Sequence, residues 1–282
     1  MPQTGTGAIV TPAASAARGV GAFNVIQLEH AQAVVAGAEA AGAPVILQLS
    51  ENAVRYHGAL APIAAAVLAV ARAATVPVAV HLDHATSAEL VADAVELGFS
   101  SVMFDASALP YRENVRATAA VVERCHAAGV WVEAELGEVG GKDGVHAPGA
   151  RTDPGEAADF VATTGVDALA VAVGTSHAMA TRDAVLDFEL IARLRAAVPV
   201  PLVLHGSSGV ADGHLARAVA HGMTKVNIAT QLNRVFTGAV RYVLGADPGL
   251  VDTRRYLGPG RTAVATEVTR LLGVLGAATA RS

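Results

Sequence analysis

The chain has 282 residues, of which 52% are hydrophobic and only 16% charged, with a formal net charge of −5. That length and apolar content suit one large core, and a single barrel of about 250 residues is an ordinary size. The acidic balance argues against nucleic acid as a main partner, and the single cysteine, Cys125, excludes a disulfide framework and fits a reducing cytoplasm.

Met1 to Thr11 is polar and glycine-rich, without a basic start or an apolar run, so no targeting leader is expected. Mean hydropathy is +0.44. Even so, no apolar run approaches the length of a membrane span. Ile63 to Ala71 comes nearest, and Arg72 and Pro77 interrupt it. A cytoplasmic protein with no membrane partner is the expectation.

The first helix is expected over Thr11 to Ala17, followed by a strand from Val20 to Val25 that ends at Asn24. A helical pattern, Leu28 to Ala41, is closed by Gly42. The second strand is Pro44 to Leu49, ending at Ser50. An irregular polar piece, Glu51 to Gly58, precedes a helix over Pro62 to Ala74. Then comes the strand Val76 to Asp83 and a helix, Ser87 to Leu97, stopped at Gly98. The fourth strand, Ser101 to Phe104, ends at Asp105, and Pro110 opens a helix that runs to Ala128.

The fifth strand, Val130 to Leu136, carries Glu133 and Glu135. A long polar, glycine-rich loop follows, Gly137 to Asp153, the length of a lid. Pro154 opens the next helix. The sixth strand, Ala168 to Val173, leads toward His177, and a helix spans Phe188 to Ala197. The seventh strand, Pro201 to Leu204, ends at His205, and a helix covers Asp212 to His221. The eighth strand, Lys225 to Ile228, is followed by helices over Gln231 to Leu244 and, after an Arg-rich linker, Thr262 to Leu275.

Each strand reads as a continuous apolar run, as parallel buried strands do. Eight strand–helix alternations close most naturally into a (β/α)8 TIM barrel, here one domain over 1–282 with extra terminal helices. A doubly wound open sheet is the alternative. The first strand is not followed by a GxGxxG turn, which weakens its nucleotide-binding form.

In a barrel, chemistry sits at the C-terminal ends of the strands. Those ends read Asn24, Ser50, Asp83-His84, Asp105, Glu133/Glu135, His177, His205 and Asn227. Burying such groups together is unfavourable without a shared partner. His84, His177 and His205, from three strands, form a catalytic-zinc type of ligand set if the barrel brings them together. Asp83 would then serve as acid/base. Separate hydrogen-bonded core histidines, with Asp83 as a helix cap, remain the alternative on the residues alone. His30, His57, His126, His214 and His221 fall on helices or loops and are expected to be solvated. His81 is expected to point away from His84 or to support the site from behind.

Gly206-Ser207-Ser208-Gly209 and Asn227-Ile228-Ala229-Thr230 follow the seventh and eighth strands, the usual phosphate site of a barrel. Lysine occurs only at Lys142 and Lys225. Lys225 is expected at the start of the eighth strand, far from the mouth. With no buried lysine near a substrate carbonyl, a Schiff base is not expected, and a metal would act as Lewis acid.

The chain resembles the class II, zinc-dependent fructose-bisphosphate and tagatose-bisphosphate aldolases at Gly21-Ala22-Phe23-Asn24, His81-Leu82-Asp83-His84 and Val102-Met103-Phe104-Asp105-Ala106-Ser107. The likeness continues at Val132-Glu133-Ala134-Glu135-Leu136-Gly137, Val203-Leu204-His205-Gly206-Ser207-Ser208-Gly209 and Lys225-Val226-Asn227-Ile228-Ala229-Thr230. The resemblance implies reversible cleavage of a ketose bisphosphate to dihydroxyacetone phosphate and glyceraldehyde 3-phosphate. It also implies zinc on His84, His177 and His205, and Asp83 as the group handling the C4-hydroxyl proton. Glu135 and Asp105 resemble positions for a displaced or second metal ion. Gly206, Ser207 and Ser208 with Asn227, Ile228, Ala229 and Thr230 resemble the phosphate-binding segments. Asn24 and Ser50 lie at the substrate end. A monovalent cation near the phosphate and a homo-oligomer, dimer or tetramer, are further family features.

Two departures stand out. Relatives carry Gly after the second zinc histidine, where this chain has Ala178. The loop after Gly140-Gly141 carries a proton-exchanging Glu in relatives, whereas here it is shorter and reads Lys142-Asp143-Gly144, with Asp143 as the replacement. The motifs divide between the two sugars. Asn227 to Thr230 is closer to the tagatose type, and Ser50 to Ala53 and Arg254 to Pro259 are closer to the fructose type. An aldolase for another phosphorylated sugar, or a non-catalytic barrel that binds zinc and a phosphosugar, are the competing readings.

Overall fold

The structure, a computed structural model, describes residues 3–136, 151–175 and 184–277. Eight parallel strands close into a barrel in sequence order, with the last returning to pair with the first. They are β1 (Val20–Asn24), β2 (Val45–Ser50), β3 (Val78–Ala85), β4 (Ser101–Phe104), β5 (Trp131–Leu136), β6 (Ala168–Val171), β7 (Leu202–Leu204) and β8 (Met223–Ile228). The helices among the described residues are α1 (Thr6–Ser15), α2 (Leu28–Ala41), α3 (Glu51–His57), α4 (Leu60–Ala73), α5 (Ala88–Glu96) and α6 (Tyr111–Ala127). They continue as α7 (Pro154–Thr164), α8 (Phe188–Ala197), α9 (Asp212–His221), α10 (Thr230–Ala246) and α11 (Arg254–Val274). No single helix among them is long and apolar enough to cross a membrane.

The two-residue alternation of a strand sorts the core. In β2, Val45, Leu47 and Leu49 face outward and join Val34 and Ala38 of α2 and Val67 and Leu68 of α4 in the shell between sheet and helices. The intervening Ile46, Gln48 and Ser50 face into the barrel. Ile46 belongs to an inner cluster with Val20, Ala22 and Ala79, against which α1 sets Ile9, Val10 and Ala13. Helix α1 therefore plugs the N-terminal end of the barrel. A second inner cluster, Met103, Ala168, Ala170 and Val203, fills the far side. Above these apolar patches, buried Gln48, His81, Glu133 and Lys225 form a polar middle, and the mouth opens beyond it.

Capping residues position the elements. Ser87 accepts from the Leu90 amide, Asp153 from the Gly155 and Glu156 amides beside Pro154, and Asp187 from the Leu190 amide. Gly42 ends α2 at φ 63°, in the left-handed region that glycine enters freely.

Several expectations need correction. Helix α1 begins at Thr6, not Thr11, because the buried Thr6 hydroxyl anchors its first turn 2.6 Å from Ser101 Oγ. The piece after Ser50 is not irregular. The Ser50 hydroxyl accepts from the Ala53 amide and caps α3, and Gly58 ends it at φ 77°. The Arg-rich linker before Thr262 is the opening of α11, which continues through Pro259 because packing along α2 outweighs the lost backbone bond. Strand β3 starts and ends two residues later than expected, so it includes His84. His30 is buried, not solvated, with its ring centroid 5.1 Å from that of Phe236.

Helices α2 and α11 approach closely at Gly37. A Cβ there would lie 2.6 Å from the Ala265 carbonyl oxygen and 2.8 Å from Val268 Cβ, and Thr269 donates to the Gly37 carbonyl at 3.0 Å. Alanine's helix propensity would gain about 1 kcal/mol. Forcing the helices apart costs about 1–3 kcal/mol, and part of that reaches the barrel wall. Gly37→Ala is therefore expected to lower stability in urea titrations by up to about 2 kcal/mol net. A variant more stable than the parent would show that the two helices separate freely.

Candidate active site

A regular strand sends neighbouring side chains to opposite faces. Asp83 and His84 escape that rule. The pairing of β3 with β4 slips between Leu82 and Ala85, and His84 sits at φ 51°, a left-handed conformation uncommon outside glycine. The bulge lets both residues reach the C-terminal mouth. Glu51 braces the turn that follows, accepting from the Thr86 amide at 2.7 Å and its hydroxyl at 3.0 Å.

His84 Nδ1 lies 2.7 Å from Asp105 Oδ2, and Asp105 Oδ1 accepts from the Ser107 hydroxyl and amide. The His205 ring meets that of His84 edge-on, with centroids 4.8 Å apart. Strand β5 brackets His205 with two carboxylates. Glu133 Oε1 is 3.1 Å from Nε2, and Glu135 Oε2 is 3.3 Å from Nδ1. Asp83 receives one amide on each oxygen: Asn24 Nδ2 on Oδ2 at 3.2 Å and Asn227 Nδ2 on Oδ1 at 3.4 Å. Behind these, Gln48 donates to Asn24 Oδ1 at 2.6 Å. Lys225 reaches Asn227 Oδ1 and Glu133 Oε2, each at 2.8 Å. His81 sits below, its Nδ1 2.8 Å from Ser101 Oγ and its Nε2 3.8 Å from Glu133 Oε2.

Burial opposes charge on all of these groups, and their partners reverse it for most. At His84, burial lowers the pKa, but Asp83, Asp105 and Glu135 raise it to about 10. At His205, burial is likewise outweighed by the hydrogen bonds to Glu133 and Glu135, and the pKa rises. Burial would raise Asp83, yet His84, Lys225 and His205 hold its carboxyl below the usual range. Asp105 is lowered against burial by His84 and Ser107, and Glu133 by Lys225 and His205. His81 goes the other way, because burial and Lys225 push it down to about 3 and leave it neutral.

At the mouth, the neighbouring carboxylates thus favour the protonated forms of His84 and His205. A divalent cation would take the place of those protons. The ligand atoms of Asp83, His84 and His205 all lie within 4.8 Å of one another, as do those of His84, Asp105 and Glu135. Imidazole nitrogens with carboxylate oxygens are a donor set that zinc and its neighbouring divalent ions accept, so the residues fit such an ion. With an ion at Nδ1 of His205, Nε2–H would remain to donate to Glu133, which fixes the tautomer.

The phosphate-type segments also meet. Gly206 adopts φ 65° and leads into a 3-10 turn, Ser207–Gly209. The Ser207 hydroxyl donates to the Asn227 carbonyl and ties the turn to β8. Ser208 Oγ accepts from the Gln231 amide at 3.2 Å and caps α10, which Ala229 and Thr230 open without a capping side chain of their own. The Ile228 side chain packs in the outer core, so only its backbone faces this region. Ser50 is engaged as the cap of α3. His177, Ala178 and Asp143, with Glu138, His146 and most of the expected lid, lie outside the described residues.

Sequence reasoning missed Gln48 and Lys225 and gave Glu133 no task. Lys225 does not lie at the far end of the barrel. Strand β8 begins at Met223, which carries Lys225 inward to a fully buried position. The available signal was the strand period. Two residues before Ser50, Asp83, Glu135 and Asn227 stand Gln48, His81, Glu133 and Lys225, each on the same inward face one layer deeper.

A parallel barrel whose C-terminal mouth gathers imidazoles and carboxylates around room for a cation has the layout of a metal-assisted barrel enzyme. Comparison with known proteins narrows the class. A family model described as fructose-bisphosphate aldolase class-II matches residues 4–280. A fructose-bisphosphate aldolase of Geobacillus stearothermophilus is 44% identical over 253 residues, 88% of each chain. One of Thermus caldophilus is 42% identical over 285 residues, 92% of this chain and 93% of the relative. Among solved structures, the YdjI aldolase from Escherichia coli K12 superposes with a TM-score of 0.86 at 32% identity, covering 98% of both chains. The chain belongs to the class II fructose-bisphosphate aldolase family and is an aldolase, a carbon–carbon lyase.

Because protons and a cation compete for the same imidazoles, zinc affinity of the metal-free protein should rise between pH 6 and 8. The expected slope is about tenfold per pH unit for each proton displaced. Competition against a zinc-binding dye measures it. His205→Ala should weaken binding and lower the slope by about one proton, whereas a flat profile in the parent would put the cation on carboxylates alone.

Proposed function

We propose that the chain, working as one barrel domain, cleaves a ketose 1,6-bisphosphate reversibly to dihydroxyacetone phosphate and glyceraldehyde 3-phosphate. The observation that carries this reading is the convergence of Asp83, His84 and His205 within 4.8 Å at the mouth of a family-typical barrel. His84 and His205, with His177 as third ligand, would hold zinc, and Glu135 and Asp105 would receive a displaced or second ion. Bound there, zinc supplies Lewis-acid polarisation of the substrate ketone.

The chain's own groups do the rest. Asp83 is ionised and takes the C4-hydroxyl proton, its two oxygens held by Asn24 and Asn227 so that a remaining lone pair faces the substrate. The C3–C4 bond then breaks and leaves a carbanion on the ketone fragment. Asp143, in the loop after β5, returns a proton to that carbon. Phosphate rests on backbone amides of Gly206, Ser207 and Ser208 and of the α10 start at Ile228, Ala229 and Thr230, aided by Ala178 and a monovalent cation. Ser50 lines the aldehyde side.

The relatives' names support fructose 1,6-bisphosphate, and the Asn227 to Thr230 motif keeps tagatose 1,6-bisphosphate as the second candidate. A homo-oligomer fits α10. Only Leu232 of that helix is buried, and Tyr242 and, in the following turn, Val251 stand 81% and 88% exposed. A cytoplasmic location fits the single buried cysteine.

Chelation should abolish cleavage, and added zinc should restore it. Full activity in excess chelator, or inactivation by borohydride with substrate, would replace this reading with a Schiff base. Parallel assays on the two bisphosphates identify the sugar, and no cleavage of either would leave an aldolase for another phosphorylated sugar or the non-catalytic reading. Asp83→Ala should cut turnover about 10²–10⁴-fold while zinc stays bound, as read by metal analysis. Loss of zinc together with activity would make Asp83 a ligand or a structural residue instead.

A further inference from the structure

We propose that Lys225 is a positioning residue for the cleavage reaction: one buried ammonium orients Asn227 against Asp83 and holds Glu133 against His205. The inference rests on the reading of Asp83 as the proton acceptor and His205 as a metal ligand, and adds to it the group that sets both.

The argument begins with donor and acceptor inventory. An asparagine amide presents an acceptor oxygen and a donor nitrogen of nearly equal size, and either can turn toward a neighbour. Lysine has only donors, and an ionised carboxylate has only acceptors. Asn227 stands between one of each. Lys225 Nζ, 2.8 Å away, can meet only Oδ1, which leaves Nδ2 to face Asp83 Oδ1 at 3.4 Å. Without the ammonium, Oδ1 of Asn227 loses the donor that fixes it, and the amide is left to the 3.4 Å contact with Asp83 alone, so its orientation and distance are no longer set from beneath. Asn24 is set less firmly. Its Oδ1 is held by Gln48, itself a reversible amide.

The second arm runs through Glu133. Its Oε2 lies 2.8 Å from Lys225 Nζ and its Oε1 3.1 Å from His205 Nε2. Both Lys225 and Glu133 have no exposed side-chain surface, so neither water nor a rotamer change relieves the pair. The carboxylate is pinned at one oxygen and presents the other to His205, as ligand histidines require. Lys225 touches no position open to substrate, and it therefore acts through others.

Lys225→Met alone leaves the buried Glu133 carboxylate without its ammonium partner and is expected to fold poorly. The informative variant is Lys225→Met with Glu133→Gln. It removes both charges, keeps the side-chain volumes close, and leaves an amide oxygen to accept from His205. It should melt cooperatively and retain zinc by metal analysis. Its kcat should fall about 10²-fold, the low end for a lost acid/base group, with KM within about threefold of the parent. Asn227→Ala should lower kcat comparably. Adding that change to the double variant should cost less than about threefold more, because groups acting as a unit are not additive.

A parent-like kcat in the folded, zinc-loaded double variant would overturn the proposal, as would losses that multiply fully with Asn227→Ala. Zinc loss from the double variant, with kcat restored when zinc is added in excess, would also overturn the Asn227 arm. Failure of the underlying reading is separate. It shows as activity in Asp83→Ala or in chelator, whatever the Lys225 variants do.

Discussion

Charge withdrawn from water must be neutralised where it lies, and in this barrel that requirement centres on Lys225 and Glu133. Each ion alone would carry a desolvation cost of several kcal/mol. Together, 2.8 Å apart and fully buried, they form a pair whose two free ends are both in use. The lysine end reaches Asn227, and the glutamate end reaches His205. A hydrophobic pair of similar volume would satisfy the barrel as a fold. It would not hold an amide and an imidazole at fixed orientations, which is the sense in which the ion pair belongs to the site.

The layers of the interior make that arrangement possible. Helix α1 closes the N-terminal end with Ile9, Val10 and Ala13 against Ala22, Ile46 and Ala79, which keeps water from below. A low local dielectric strengthens each interaction above it and makes each unpaired group more costly. Thr6, Ser101 and His81 form a neutral hydrogen-bonded chain between the plug and the ions. The reactive mouth lies above the ions, where His84 and Asp105 regain partial exposure. Polarity therefore increases from the plug to the mouth, and substrate meets groups already oriented from beneath.

Strain is confined to one residue of this scheme. His84 at φ 51° carries a cost of about 1–3 kcal/mol for a left-handed non-glycine residue. The surroundings over-determine it. Asp105 holds the ring, and Glu51 holds the backbone of Thr86 two residues on. Helix α3 supplies Glu51, so a short element that read as irregular in the sequence supports the bulge that puts His84 beside Asp83.

Much of this was legible without coordinates. The eight strand–helix alternations, the proline that opens a helix at Pro154, the glycine stop at Gly42 and the ring of polar strand ends are local patterns, written within one turn or one strand. They were enough for the barrel, and for naming Asp83, His84, Asp105, Glu135 and His205 as residues that share a mouth. What the tertiary structure decided is non-local. Whether Lys225 lies at the rim or in the middle depends on where β8 begins against β7 and β1, a matter of register between chains of residues far apart in sequence. That Asp83 and His84 act on the same side depends on a slip against β4, to which no residue of β3 alone points. The continuation of α11 through Pro259 depends on packing against α2, more than two hundred residues earlier in the chain. Periodicity tells a residue which face it occupies, but only the closed sheet sets the depth at which it meets its partners.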